Sequence, residues 1–306
     1  MYADHYGFSE RPFNVTPDPR FLYFTDSHRE ALAALFYGIT KKMGFVVITG
    51  EVGTGKTTLL YTLQDHLGDQ VKTANLFHTK TTFRELLKNV LLEFELPVTD
   101  DDTFLLIDRL SHYLVEQSRK RDTVALIIDE AQNLSEDVLE DIRLLSNLET
   151  RMSKLLQIVL VGQPELETKL QSEGLRQLKQ RIAVQRRIKP LSQKECLDYI
   201  EHRVRIVGGE PSKVFTPEAL KLIAQNAKGI PRLINVICHN ALLTGYSLSR
   251  KRVDADIVHE VLRDMNGGSA GEVPIHAAEG VPEAPGMHRP KMELLRKLLR
   301  AVTVRR

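Results

Sequence analysis

The sequence predicts an α/β fold: a parallel five-stranded sheet with helices on both faces, followed by a small all-helical domain. Short apolar runs, typical of buried strands, alternate with helical patterns up to residue 190. From Leu191 onward the pattern changes to helix after helix. A glycine-rich loop directly follows the first apolar run, which is where α/β folds bind phosphate groups.

The predicted elements of the sheet domain, residues 28–190, follow a segment rich in proline and aromatic residues. We expect that segment, residues 1–27, to be an irregular arm packed on the body. The strands are predicted at residues 45–48, 73–77, 124–128 and 156–161 and within 183–188. The helices are predicted at residues 28–40, 57–61, 82–95, 102–120, 135–149 and 165–181.

The predicted helical domain covers residues 191–265. Ser192 and Glu195 have capping-box spacing, and Pro217 stands at the first position of the next helix. Further helices are predicted at residues 231–249 and 254–265.

Two segments of different composition follow the helical domain. Residues 266–290 contain five glycines and four prolines without periodicity, which predicts a flexible linker. Residues 291–306 place apolar side chains on one helical face and basic ones on the other, so they are a candidate basic amphipathic helix.

Charge is unevenly distributed along the 306 residues, which carry a net charge of +2. From Met287 onward there are seven Lys and Arg residues and one Glu, so the net charge is +6 there and −4 for all residues before Met287. The body is therefore not a general binder of polyanions, and we do not expect nucleic acid as a partner.

The two cysteines, Cys196 and Cys238, lack the spacing of a metal site, and a reducing compartment suits them best. The first residues lack the basic and apolar regions of a signal peptide, and no uncharged apolar run approaches the ~18 residues of a membrane span. We expect a cytoplasmic protein.

The strongest motif is Gly50-Glu51-Val52-Gly53-Thr54-Gly55-Lys56-Thr57, followed by Thr58. The glycines let backbone N–H groups turn toward phosphates, the lysine supplies a positive charge, and the last hydroxyl can ligate Mg²⁺. This motif predicts a site for a nucleoside triphosphate.

The second motif is Asp129-Glu130, at the carboxyl end of the predicted strand 124–128. Ligands of open α/β sheets bind at that edge. Asp129 is suited to hold Mg²⁺, and Glu130 is suited to polarise the attacking water. Mg²⁺ is the one metal that we expect.

The chain resembles the AAA+ ATPases and, among them, the ExeA/GspA-type bacterial secretion ATPases. The resemblance covers about residues 1–265. The aromatic arm makes it specific, because a generic ATPase would share only the nucleotide motifs. The segments that carry it are Tyr6-Gly7-Phe8, Arg11-Pro12-Phe13, Thr16-Pro17-Asp18-Pro19-Arg20-Phe21-Leu22-Tyr23, His28, Glu30-Ala31-Leu32, Tyr37-Gly38-Ile39, Gly44-Phe45, the phosphate loop, Ile128 to Gln132, and Leu144 to Thr150.

The resemblance implies roles for three polar residues outside the two motifs. Gln163, after the fourth strand, matches the sensor that contacts the γ-phosphate and the water, although many relatives use Asn or Thr there. Arg232, in Gly229-Ile230-Pro231-Arg232, matches the second sensor, at a helix start in the helical lid. The region that begins at His28 matches the adenine pocket, but a histidine at a helix start is also typical of a cap.

Arg181, at the end of the helix before the fifth strand, matches the arginine that reaches a neighbouring subunit's nucleotide. That role implies a homo-oligomer. A guanidinium near the γ-phosphate stabilises transition-state charge. Arg176, Arg186 and Arg187 are rival candidates for the same role.

On this resemblance we expect a Mg²⁺-dependent ATPase that drives or gates assembly of a secretion or cell-surface system together with a protein partner. Longer members continue into a transmembrane helix and a peptidoglycan-binding domain, so we expect a short form whose tail either contacts the inner membrane peripherally, docks into a partner or is merely solvated. Two alternatives remain open: a DNA-linked regulator of the transposition-helper or origin-recognition type, and a nucleotide switch with little turnover.

Overall fold

The computed structural model describes residues 2–77, 81–150 and 153–267. The chain forms two compact units: Met1–Pro17 with Leu191–Arg306, here the helical unit, and Asp18–Pro190, here the sheet unit. Most of the predicted linker, 266–290, and all of the predicted amphipathic tail, 291–306, lie outside the described residues. In the described part of the chain, every helix is too short or too polar to cross a membrane.

The sheet unit contains a five-stranded sheet in which every neighbouring pair is parallel. The two central strands that flank each other, the first and fourth, are buried along their whole length, because they consist almost entirely of apolar residues. The prediction of a parallel sheet is confirmed. In chain order the strands are β1 Phe45–Gly50, β2 Val71–Leu76, β3 Thr123–Ile128, β4 Leu156–Gly162 and β5 Ile182–Ile188, and their order across the sheet is β2-β3-β4-β1-β5.

Most helices of the sheet unit begin at a polar cap that satisfies the first backbone N–H groups. The Thr25 and Ser135 hydroxyls accept from the N–H groups of His28 and Val138, and Thr82 forms a capping box with Glu85. The helices are α2 Asp26–Thr40, α3 Lys56–His66, α4 Phe83–Glu93, α5 Thr103–Arg119, α6 Glu136–Leu145, α7 Pro164–Lys169 and α8 Arg176–Arg181.

The prediction of one helix over residues 165–181 is wrong. The chain forms α7, a 3-10 helix at Glu173–Leu175 and α8, with Ser172 in an extended conformation between them (φ −61°, ψ 152°). The break lets Leu170, Leu175 and Leu178 all enter the core, each at most 3% exposed. Burial of three leucines therefore outweighs the local preference for a continuous helix.

The helical unit uses the predicted start signals. Ser192 and Glu195 form the capping box, and Pro217 stands in the first turn of its helix behind a Thr216 cap. Its helices are α1 Tyr2–Tyr6, α9 Gln193–Ile206, α10 Pro211–Val214, α11 Pro217–Asn226, α12 Pro231–Ser247 and α13 Ala255–Gly267.

The N-terminal arm differs from the irregular segment that the sequence predicts over residues 1–27. It begins with α1, and a 3-10 helix follows at Pro19–Phe21. The two compact units divide within it, after Pro17. Four of its aromatic residues, Tyr2, Phe8, Phe13 and Phe21, are at most 5% exposed, whereas Tyr6, Tyr23 and Phe24 are partly exposed.

A buried arginine joins the N-terminal segment to the helices of the same unit. Arg203 is 5% exposed, and its Nε and Nη2 donate to the carbonyl oxygens of Pro12 (2.5 Å) and Asn14 (3.3 Å). Its Nη1 donates to the Tyr199 hydroxyl at 2.8 Å. A buried cation is costly unless it is hydrogen-bonded, so residues 12–14 supply acceptors that the helical unit needs.

We expect Phe13→Ala to lower the free energy of unfolding of the helical unit by about 3–5 kcal/mol, because a buried aromatic ring leaves a cavity when it is removed. Phe13 is 1% exposed and meets the Phe215 ring edge-on at a centroid distance of 6.1 Å. Hydrogen exchange of the α9 and α12 amides measures the change. Phe104→Ala is the control, because Phe104 is 73% exposed; an equal loss from both variants would contradict the role of Phe13.

Candidate functional site

Three sequence motifs meet at one edge of the sheet because of the strand order. β4 pairs with both β1 and β3, and all three strands run parallel. Their carboxyl ends therefore lie side by side, which brings together the phosphate loop after β1, Asp129-Glu130 after β3 and Gln163 after β4. This edge is where open α/β sheets bind ligands.

The loop between β1 and α3 depends on left-handed glycines. Gly53 and Gly55 have φ values of 78° and 94°, which side-chain-bearing residues rarely adopt. The turn is closed by the Thr54 hydroxyl, which donates to the Glu51 carbonyl at 2.8 Å. Val52 is half exposed at the tip. The loop leads directly into the N-terminus of α3, whose first N–H groups favour an anion.

Lys56 is the buried cation of the loop, at 6% exposure. Its Nζ donates to the carbonyl oxygens of Gly50 at 2.8 Å and Glu51 at 3.1 Å. Burial lowers the pKa of Lys56, and the nearby carboxylates of Glu130 and Asp129 counteract that shift. The lysine is thus held inside the loop by carbonyl dipoles and neighbouring negative charge.

Thr57 and Asp129, the two predicted magnesium ligands, are in direct contact. The Thr57 hydroxyl donates to Asp129 Oδ2 at 2.7 Å, and the Glu130 N–H donates to Asp129 Oδ1 at 2.9 Å. Asp129 is 3% exposed. Burial raises its pKa, while the hydrogen bonds from Thr57 and Glu130 oppose the shift.

Glu130 is held by two glutamine side chains. It has left-handed backbone angles (φ 52°, ψ 35°), which are uncommon outside glycine, asparagine and aspartate. Its Oε2 accepts from Gln132 Nε2 at 2.5 Å and from Gln163 Nε2 at 3.0 Å. The Gln163 main-chain N–H in turn donates to Gln132 Oε1 at 3.0 Å. Gln163 therefore lies beside Glu130, and its role as a sensor stays a prediction.

His28, on α2, forms a hydrogen bond with the backbone of the phosphate loop. It is 2% exposed, and its Nε2 donates to the Thr54 carbonyl at 3.0 Å. Its Nδ1 is 2.7 Å from the Thr25 hydroxyl. A carbonyl can only accept, so in the neutral ring Nδ1 accepts from Thr25. His28 is therefore a buried partner of the loop backbone.

Three further predicted site residues are Thr58, Arg181 and Arg232. Thr58 stands in the first turn of α3, and its carbonyl accepts from the Thr62 hydroxyl at 2.9 Å. Arg181 Nη1 donates to the carboxyl end of α6, where Ser146 Oγ is 2.6 Å and Asn147 Oδ1 is 2.7 Å away. Arg232 is exposed in the first turn of α12, in the helical unit.

The rival arginines differ in their surroundings. Arg187 approaches the phosphate loop, with Nη2 3.5 Å from a Glu51 carboxylate oxygen and Nη1 3.9 Å from Glu167. Arg176 and Arg186 are exposed. Arg187 thus contacts the phosphate loop through Glu51.

Sequence reasoning missed Gln132 and Lys169. Lys169 Nζ donates to the carbonyl oxygens of Gln132 and Leu134, each at 2.6 Å, and so fixes the turn after β3. The signal for Gln132 was its place two residues after Glu130, within the motif already singled out. Lys169 left no sequence signal, because its role depends on where α7 packs.

The donor set fits Mg²⁺ and a triphosphate. Thr57 and Asp129 offer paired oxygen ligands of the kind that Mg²⁺ prefers, next to a buried lysine and the start of α3. In the described residues, no cluster of three or more His, Cys, Asp or Glu side chains forms a metal site from protein groups alone.

The chain is similar to AAA proteins in sequence. The model of an AAA domain matches residues 39–170. General secretion pathway protein A of Aeromonas hydrophila is 42% identical over 259 residues, which are 84% of this chain and 47% of that protein. The chain thus spans about half the length of the curated relative that it matches.

The fold is similar to solved structures of much lower identity. The ORC2 protein of Aeropyrum pernix has a TM-score of 0.65 at 18% identity, over 86% of this chain and 73% of that one. Drosophila ORC bound to DNA has a TM-score of 0.60 at 20% identity, over 83% and 64%. The RuvB motor of Thermotoga maritima has a TM-score of 0.53 at 16% identity, over 84% and 74%. At these identities the likeness shows the fold alone.

We expect Gly162→Ala to lower the free energy of unfolding by about 1–3 kcal/mol, because a methyl group at the end of β4 would displace the side chains of Gln132 and Leu166. The added Cβ would lie 2.8 Å from Gln132 Oε1 and 2.9 Å from Leu166 Cδ2. Urea unfolding measures the change. Gly68→Ala is the control, since its Cβ would meet nothing within 4 Å. A stability of Gly162→Ala equal to that of the control would contradict this packing.

Proposed function

Since this chain belongs to the AAA ATPases of the general secretion pathway protein A type, we propose that it binds ATP with Mg²⁺ and hydrolyses it. The observation that carries the proposal is the meeting of Lys56, Thr57, Asp129 and Glu130 at one edge of the sheet, with the Thr57 hydroxyl 2.7 Å from Asp129. A cation, two hard oxygen ligands and a held carboxylate are the groups that phosphoryl transfer to water requires.

The phosphate loop performs the binding step. Residues Gly50 to Thr58 present backbone N–H groups toward the phosphates, and the left-handed Gly53 and Gly55 allow that path. Lys56 exchanges its two carbonyl partners for phosphate oxygens, which its positive charge favours. His28 keeps the loop in shape through the Thr54 carbonyl, and its neighbourhood borders the adenine.

Glu130 performs the hydrolytic step. Its carboxylate orients the attacking water and accepts hydrogen bonds from it, in a direction fixed by Gln132 and Gln163. Gln163 reports the state of the γ-phosphate to the end of β4. Thr57 and Asp129 hold Mg²⁺, which when bound neutralises charge that develops on the phosphate oxygens.

We further propose that the ATPase drives or gates assembly of a secretion or cell-surface system, as a homo-oligomer with a protein partner. The support is the 42% identity to general secretion pathway protein A. Arg181 is the proposed trans-acting arginine and Arg232 the proposed second sensor. The proposed location is the cytoplasm, with peripheral contact at the inner membrane through residues 291–306.

The DNA-linked alternative has weaker support. The solved structures of ORC proteins are 18–20% identical, so they bear on the fold, whereas the secretion relative is 42% identical over most of this chain. The body before Met287 carries a net charge of −4, which disfavours sequence-independent attraction to the phosphate backbone of DNA. Salt-dependent affinity of the body for duplex DNA would reverse this ranking.

We expect Glu130→Gln to reduce ATP hydrolysis by about 100-fold or more while ATP binding persists, because the amide cannot act as a base toward water. A phosphate-release assay and equilibrium binding of ATP with Mg²⁺ measure the two properties. Glu116→Gln is the matched control, since Glu116 forms a surface pair with Lys120. Unchanged turnover in Glu130→Gln would remove Glu130 from its role, and wild-type chain that binds ATP without turnover would favour a nucleotide switch.

Mixing two inactive variants tests the trans role of Arg181. We expect Arg181→Ala chains mixed with Glu130→Gln chains to recover part of the ATPase activity, because some sites then combine an intact Glu130 with an intact arginine of the neighbour. Arg187→Ala in place of Arg181→Ala tests the rival that contacts Glu51. No recovery with Arg181→Ala would contradict its action in trans, and recovery with Arg187→Ala alone would assign that role to Arg187.

A further inference from the structure

We propose that Gln132 is a positioning residue that sets the direction of the Glu130 carboxylate, an inference that rests on the proposed hydrolysis of ATP. Its amide lies between two partners. Nε2 donates to Glu130 Oε2 at 2.5 Å, and Oε1 accepts from the Gln163 N–H at 3.0 Å. A main-chain N–H can only donate, so a single orientation of the amide satisfies both contacts.

Glu130 is part of a closed ring of hydrogen bonds. Gln163 Nε2 donates to the same oxygen, Glu130 Oε2, at 3.0 Å. The ring runs from Glu130 to Gln132, to the Gln163 main chain, and back through the Gln163 side chain. Two donors on one carboxylate oxygen fix the plane of the group, and hydrogen bonds to a charged acceptor are the stronger kind. The direction of the base is therefore set before any substrate arrives.

The turn that carries Gln132 is held by contacts with α7 and with the end of β4. Lys169 Nζ donates to the carbonyl oxygens of Gln132 and Leu134, which ties the turn after β3 to α7. The Gln132 side chain crosses the end of β4, where a Cβ on Gly162 would lie 2.8 Å from Oε1. Gln132 thus lies against Gly162, and a side chain at position 162 would displace its amide.

The ring also connects the segment after β3, which carries Glu130, with the end of β4, which leads to Gln163. Gln132 touches the main chain of Gln163, so a displacement of the end of β4 moves the amide that orients Glu130. A change at the residue proposed to contact the γ-phosphate would therefore alter the position of the base through Gln132. This connection separates Gln132 from a residue that only fills space.

Gln132→Met tests the role, because methionine has a similar length and no amide. We expect kcat for ATP to fall about tenfold or more, while KM for ATP with Mg²⁺ stays within about twofold and the thermal unfolding midpoint is unchanged. The control is Gln177→Met on α8, since Gln177 is exposed and both residues suit a helix. An unchanged kcat, or a loss of kcat that accompanies equal changes in KM and stability, would overturn the proposal.

A second measurement does not depend on turnover. In ¹⁵N-labelled full-length chain, the side-chain amide signals of Gln132, identified by their loss in Gln132→Met, should shift in Glu130→Ala and in Gln163→Ala and stay in place in Gln177→Met. If the Gln132 side-chain amide signals do not shift in Glu130→Ala, the contact between the two side chains is contradicted and the inference with it. Wild-type chain without turnover would overturn the proposed hydrolysis, while the shifts would still decide whether Gln132 holds Glu130.

Discussion

The hydrogen bond from Thr57 to Asp129 joins two segments that are 72 positions apart in the chain. It forms because β4 pairs with both β1 and β3, so that the start of α3 and the end of β3 face each other across one strand. The bond also lets a buried acid, at 3% exposure, lie near a buried lysine at 6%. Each of these groups lowers the cost of burying the other, so the strand order and the local charge balance depend on each other.

Much of the fold follows from local chemistry. The strands β1, β3 and β4 are apolar runs, and runs of that length between helices predict a parallel sheet. The capping box at Ser192 and the proline at position 217 mark real helix starts. Gly53 and Gly55 of the phosphate loop adopt left-handed angles, which glycine reaches without steric cost. Such features depend on neighbours a few residues away, which the sequence displays directly.

The other features depend on tertiary contacts. The break after α7 allows three leucines to enter one core, and the local sequence does not predict it. Arg181 donates to the carboxyl end of α6, a partner about 35 residues away, which its position before β5 does not disclose. The contact between Gln132 and Glu130 likewise requires the turn that Lys169 fixes from α7. The sequence motifs identify which residues form the site. Tertiary packing determines which other side chains orient those residues.

The N-terminal segment has a consequence for the order in which the protein folds. Arg203 binds the carbonyl oxygen of Pro12 across 191 positions, and Phe13 packs on Phe215. The sheet unit lies between them in the chain and is synthesised before α9, so Phe13 has no partner from α9 or the later helices until those segments have been made. A fragment that starts at Leu191 would lack these rings and acceptors. The first and last parts of this unit must therefore meet by long-range closure of the chain, which is the slow kind of folding step.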